Sequence, residues 1–210
     1  MKSGKAPPAP RTERAETGDV DAARGSLYTL LSAALIATPS AALLTACAGL
    51  HGGPTPLGRA CDALAAAAGA ASAEDVARAH FDLFVGVGRG ELLPYASYYL
   101  TGFLNERPLA AVRADMARLG LARGEGLHEP EDHIAILCGV MAGFARGAQA
   151  AQGCASEAQF FSRHLAPWAG RFFADLARAR PTGFHAALGA VGVAFMDVEA
   201  AAFALEAGAA

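Results

Sequence analysis

Apolar residues recur at steps of three and four along most of this chain, and the pattern restarts at a proline or a capping serine or threonine. Such spacing puts apolar side chains on one face of a helix. Leu27, Leu30, Leu31, Ala34 and Leu35 share a face of a helix expected over 19–37. Pro39-Ser40 restarts the chain for a short helix to about Leu50, and Gly52-Gly53-Pro54 ends it. Thr55-Pro56 is a cap followed by a first-turn proline. Ser72-Ala73-Glu74-Asp75 is ordered like a capping box and opens a helix bearing Val76, His80, Leu83 and Phe84. Pro94 is expected to open a helix through Phe103, and Pro108 another ending at Leu119-Gly120. Pro130 is expected in the first turn of a long helix whose core face is Ile134, Leu137, Cys138, Met141 and Phe144. Ser156 caps a helix with Phe160, Phe161 and Leu165, and Pro167 starts another through Arg178. Pro181-Thr182 starts the last, with Phe184, Leu188, Val191, Phe195 and Val198 inward.

Composition strengthens this picture. The 210 residues suffice for one domain with a real core. Alanine and leucine, which lose little entropy in a helix, dominate, and no period-two run bounded by turn residues occurs. The expected fold is all-α, a single compact bundle of about nine or ten helices. Residues 1–16, rich in Pro, Lys, Arg and Glu without apolar spacing, are expected to be disordered, and 17–210 to form the helical domain. A formal charge of −3 argues against a bulk nucleic-acid binder. Cys47, Cys61, Cys138 and Cys154 match no zinc spacing and are read as small buried hydrophobes, in keeping with a reducing cytoplasm. Residues 27–50 carry no charge, and Leu44-Thr45-Ala46-Cys47 looks like a lipoprotein cleavage site. Pro39-Ser40 breaks that run far behind the N-terminus, so neither export nor stable membrane insertion is expected.

The densest chemistry lies between Leu92 and His133. Tyr95, Tyr98 and Tyr99 crowd one helix start, where Tyr95 and Tyr99, four apart, would share a face. That face is either core or an aromatic groove for an apolar peptide. His128-Glu129-Pro130-Glu131-Asp132-His133 crowds the other start. A zinc helix needs histidines four apart, and here they are five apart with a proline between. The carboxylates either satisfy first-turn N–H groups of the following helix or face a cationic peptide. Gly86-Val87-Gly88-Arg89-Gly90 lacks the Lys-Ser/Thr of a P-loop, and Ser97 lacks the G-x-S-x-G context of a hydrolase nucleophile. Two alternatives remain at this point: a metal-dependent hydrolase using His128, Glu129, Asp132 and His133, and a structural assembly subunit.

Three segments carry a resemblance. Pro94-Tyr95-Ala96-Ser97-Tyr98-Tyr99-Leu100 is similar to a P-Y-x-S-x-Y-L segment. Glu129-Pro130-Glu131-Asp132-His133 resembles E-P-x-D-H, and residues 160–168 resemble F-x-x-x-H-L-x-P-W. In this order they resemble the TorD/DmsD family of molybdoenzyme maturation chaperones, over roughly residues 20–205. The resemblance implies a cytoplasmic, non-enzymatic chaperone without a cofactor of its own, monomer or homodimer. Its partner would be the apo catalytic subunit of a molybdoenzyme, such as a formate dehydrogenase or a DMSO/TMAO-reductase-like enzyme, or that subunit's twin-arginine leader. Pro94 and Tyr95, with Asp132 and His133, match positions linked to peptide binding in the family. Leu93, Ser97, Tyr99 and Glu129 lie in or beside the same motifs and complete the candidate site. His164, Pro167 and Trp168 match the third segment, read as more structural. Ala96, where relatives often carry a larger or polar residue, and Phe184-His185, where an aromatic pair is common, depart from the pattern and bear on which client is served.

Overall fold

The structure, a computed structural model, describes residues 11–124, 126–147, 156–180 and 183–209. Ten α-helices are present among them: α1 (Arg11–Ile36), α2 (Ala41–Ala48), α3 (Pro56–Ala70), α4 (Ala73–His80), α5 (Ala96–Thr101), α6 (Arg107–Arg118), α7 (Ile134–Ala145), α8 (Glu157–His164), α9 (Ala169–Ala179) and α10 (Phe184–Ala209). A π-helical turn, Phe81–Val85, continues α4. No strand occurs among the described residues, so the all-α expectation holds.

The local signals act as their chemistry requires. Ser40, Thr55 and Ser72 each accept the backbone N–H three residues on, and Ser156 forms a full capping box with Gln159. Three proline signals mislead. Helix α5 starts after Pro94, at Ala96, α7 starts at Ile134 rather than around Pro130, and α9 starts at Ala169, two residues after Pro167. Helix α5 also stops at Thr101, short of the expected Phe103, because Gly102 turns left-handed. The expected tail 1–16 lies, for residues 1–10, outside the described residues, as do Cys154 and Pro181-Thr182. Cys47, Cys61 and Cys138 are free and buried, as read.

Helix α1 packs along α7, and α10 packs on α9 and α3. Glycine makes the α9–α10 contact possible: a Cβ at Gly192 would lie 2.1 Å from the Phe173 ring. By length and composition α10 could cross a membrane. In this fold it buries Phe184, Leu188, Val191 and Phe195 in the core. Val198, expected inward, is exposed, and Glu199 takes the inward position. It can do so because Arg24 donates to both its oxygens, at 2.7 and 2.8 Å, and the Tyr28 hydroxyl donates at 2.9 Å. A buried carboxylate paired in this way offsets its desolvation. Pattern reading favours valine over glutamate and so misses it.

Candidate functional site

Helix α5 has six residues, and Tyr95, its N-cap, supplies no side-chain acceptor. Its first N–H groups therefore need partners from elsewhere. Asp132 provides two: its backbone oxygen accepts from Ala96 N–H at 3.0 Å and its carboxylate from Ser97 N–H at 2.8 Å. The exchange is reciprocal. The first N–H of α7, on Ile134, donates to the Pro94 carbonyl at 2.8 Å, and Tyr95 pairs with His133 in an isolated antiparallel bridge. His133 caps its own helix, its Nδ1 accepting from Ala135 N–H at 3.1 Å. Each helix start is thus completed by the segment that starts the other, and two motifs far apart in sequence become one junction.

Burial separates the candidate residues into two groups. Ser97, Asp132 and His133 have almost no solvent contact, and Pro94 is buried. Leu93, Tyr95, Tyr99 and Glu129 are half-buried and form the accessible part. The Tyr95 ring packs edge-on against His133 with centroids 5.1 Å apart, and its hydroxyl donates to Glu129 at 2.5 Å. Burial, then the Glu129 carboxylate, raises the Tyr95 phenol well above its ordinary value. Burial lowers His133 to about 3, with His80 adding to it, so its imidazole is neutral and Nδ1 is free to accept.

Several expectations change here. Tyr95 and Tyr99 do not share a helix face, because Tyr95 precedes the helix in extended conformation. Tyr99 turns toward Trp168 and Phe172 and donates to Asp175 at 3.0 Å. The carboxylates Glu129, Glu131 and Asp132 precede α7 instead of lying in its first turn. Asp132 caps α5, Glu131 pairs with Arg113 at 2.8 Å, and Glu129 holds Tyr95. The four donors of the hydrolase alternative do not converge. His128 is exposed, and Asp132 and His133 are bonded to backbone N–H groups. Among the described residues no group of three or more His, Cys, Asp or Glu side chains is placed to hold a metal ion.

Around the junction lie further groups, of which the sequence reading named His80, His164, Trp168 and His185 and passed over Asp115. His164 of the third motif bonds at 2.8 Å to buried Asp115, which also pairs with Arg163 and Arg118. Burial opposes ionisation of Asp115, but the His164 and Arg163 contacts outweigh it and hold the carboxyl below its ordinary value. Trp168 donates to the His164 carbonyl at 2.7 Å and is fully buried, so this motif ties α8 and the start of α9 to α6. His80 and His185 are buried with ring centroids 5.7 Å apart, each with one nitrogen lacking a protein partner, and burial lowers both to about 4. The one signal for Asp115 was its spacing three residues after Val112 on an otherwise apolar face.

The sequence model of the family described as nitrate reductase delta subunit matches residues 51–174. The chaperone protein TorD of Vibrio cholerae (strain El Tor Inaba N16961) is 31% identical over 124 residues, covering 55% of this chain and 56% of the relative. TorD of Vibrio atlanticus is 28% identical over 127 residues, 56% of this chain and 59% of its own length. TorD of Vibrio vulnificus (strain YJ016) is 41% identical over 58 residues, 27% of each. The chain thus spans somewhat over half the length of the first two of these relatives. The family match takes in both halves of the junction and the His164–Trp168 segment, and covers more than half of the chain: this protein belongs to the nitrate reductase delta subunit family, with the TorD/DmsD-like maturation chaperones.

Proposed function

We propose that this chain is a cytoplasmic, non-enzymatic chaperone that binds the twin-arginine leader or the apo form of a molybdopterin-containing oxidoreductase and assists cofactor insertion. The observation that carries the reading is the reciprocal capping of α5 and α7, which fixes half-buried Tyr95 and Glu129 at the surface above buried Asp132 and His133. The names of the family and of its TorD relatives favour a chaperone over an enzyme. An amphipathic client segment would lay its apolar side chains against Leu93 and the Tyr95 ring and direct an arginine to Glu129, as in helix-in-groove binding. Apolar burial supplies most of the affinity, and the rim charge orients the segment. Asp132, His133 and Ser97 act beneath that surface by holding its two strips of chain in register.

The test is made in the native host. Deleting this gene should leave a molybdoenzyme subunit present but cofactor-poor and inactive, and affinity purification of the tagged chain should recover that same subunit before its cofactor is loaded. Unchanged molybdenum content and activity of every molybdoenzyme in the deletion strain would contradict the proposal.

A further inference from the structure

Among the described residues three buried side-chain nitrogens have no protein partner: His80 Nδ1, His185 Nε2 and Arg180 Nε. They are neighbours. The His80 and His185 rings lie 5.7 Å apart between centroids, and the Arg180 charge acts on His185. The two imidazoles are only 5% and 2% exposed. Buried polar atoms are nearly always bonded, so three orphans in one place call for an explanation. Arg180 and His185 line one cavity of about 420 Å³ between α3, α4 and the start of α10. Its walls are otherwise largely apolar, with Ala67, Ala71, Val76 and Phe184 among them. A cavity of this size, apolar with a few polar groups, suits a small molecule.

The chemistry of the orphans narrows the ligand. Arg180 Nη2 donates to Asp82 at 2.9 Å and to Glu91 at 2.8 Å, which leaves its Nε–H without an acceptor. A guanidinium N–H can only donate, so the ligand must bring an acceptor. Burial holds both imidazoles neutral, lowered to about 4, and a neutral ring nitrogen either donates or accepts. The charges disfavour an anion. Asp75 lines the cavity, and with Asp82 and Glu91 it sets three carboxylates against Arg180 and Arg89, the exposed cation of the loop that follows the π-helical turn. Glu74 pairs with Arg78, and Asp175 with Arg178, so these cancel. A cation without an acceptor leaves Arg180 Nε–H unmet. Among the described residues the two imidazoles have no third His, Cys, Asp or Glu placed to complete a metal site. A neutral carboxamide meets each requirement: its oxygen accepts from Arg180 Nε–H, and its N–H donates to His185 Nε2 in the Nδ1–H tautomer.

We propose that the cavity between α3, α4 and α10 binds a small neutral carboxamide, its oxygen on Arg180 Nε–H, its N–H on His185 and its apolar body against the alanine wall and Phe184. None of the junction residues lines this cavity, so the site stands apart from the peptide-binding reading. Benzamide, benzoate and benzamidinium share a shape and differ in charge, and they are the probes. Each is titrated at pH 7 into the full chain carrying isotope-labelled histidine, and the ring signals of His185, assigned by their loss in His185→Phe, are followed by NMR. Benzamide should shift the His185 signals saturably, with a Kd of roughly 1–10 mM for so small a molecule. Benzoate and benzamidinium should bind about ten-fold more weakly or not at all. Arg180→Lys keeps a cation facing Asp82 and Glu91 but lacks the Nε–H, and should weaken benzamide about ten-fold, with far-UV circular dichroism as the check on folding. If benzoate binds as tightly as benzamide, the neutral ligand is overturned. If His185 shifts with none of the probes, the orphan nitrogens are met by ordered water and the site is overturned. Wild-type affinity for benzamide in both Arg180→Lys and His185→Phe would place the binding elsewhere and overturn it as well. The three probes on the wild-type chain decide the matter even where a variant does not fold.

Discussion

Asp132 and Glu199 are two carboxylates with essentially no solvent contact, and the chain satisfies them in opposite ways. Glu199 is neutralised by the Arg24 guanidinium and the Tyr28 hydroxyl, and Arg24 also reaches Glu157 at 2.6 Å. That network clamps α1 to α10 and α8, and its guanidinium also lies 5.4 Å from the Phe203 ring. Asp132 is bonded to backbone N–H groups at a helix start. The first arrangement is a charge pair internal to the scaffold. The second is a helix cap borrowed across the chain, and it ends at the surface in Tyr95 and Glu129. Burial alone therefore does not say what a carboxylate does; the two differ in which groups each holds in place.

The comparison breaks if the scaffold pair proves dispensable. Arg24→Ala leaves Glu199 buried with only a tyrosine, and should lower unfolding free energy by about 3–5 kcal/mol in urea titration, against a much smaller loss when both residues become methionine. Leader affinity per folded molecule should not change.

Acid sharpens the junction side. His133 has its folded value lowered to about 3 from an unfolded 6.5, so both states are neutral above 6.5 and the unfolded chain alone takes up the proton below it. Its contribution is intact above pH 6.5 and lost as pH falls toward 3. Between pH 7 and 5 that loss is about 2 kcal/mol, and His133→Asn, which keeps a capping acceptor, should flatten the stability profile by that amount. His80 and His185, lowered to about 4, leave a residual slope in the variant.

Asp132→Ala strands the fully buried Ser97 N–H and should cost about 1–3 kcal/mol by chemical denaturation, with leader affinity falling more than stability predicts. Asp132→Asn retains an acceptor and should cost less than about 1 kcal/mol. The smallest effect is Tyr95→Phe, which removes a half-buried hydroxyl bond to Glu129 and should change stability by roughly 0.5–1 kcal/mol in the same titration.

Most helices were legible in the sequence because period, caps and prolines agreed, as at Thr55-Pro56 and Ser156. Two of the exceptions fall at the candidate site. Pro94 and Pro130 read locally as first-turn prolines, whereas the tertiary bridge between Tyr95 and His133 delays both helices by two to four residues. The first two motifs do meet at one junction, yet the division of their residues into buried and half-buried side chains depends on that bridge, which no local spacing encodes. Glu199 and Asp115 were illegible for a related reason: a charge becomes an inward residue only when partners from distant helices meet it.

The central claim is that the junction presents a peptide-binding surface rather than only stabilising the fold. The most direct measurement is calorimetric titration of a twin-arginine leader peptide into wild type, Glu129→Gln and Arg24→Met/Glu199→Met at pH 7. The account predicts binding by wild type and by the scaffold variant with similar Kd, and a loss of roughly ten-fold in Glu129→Gln, where an arginine loses its carboxylate partner. Equal affinity in wild type and Glu129→Gln, or affinity that follows stability across all three, would contradict it.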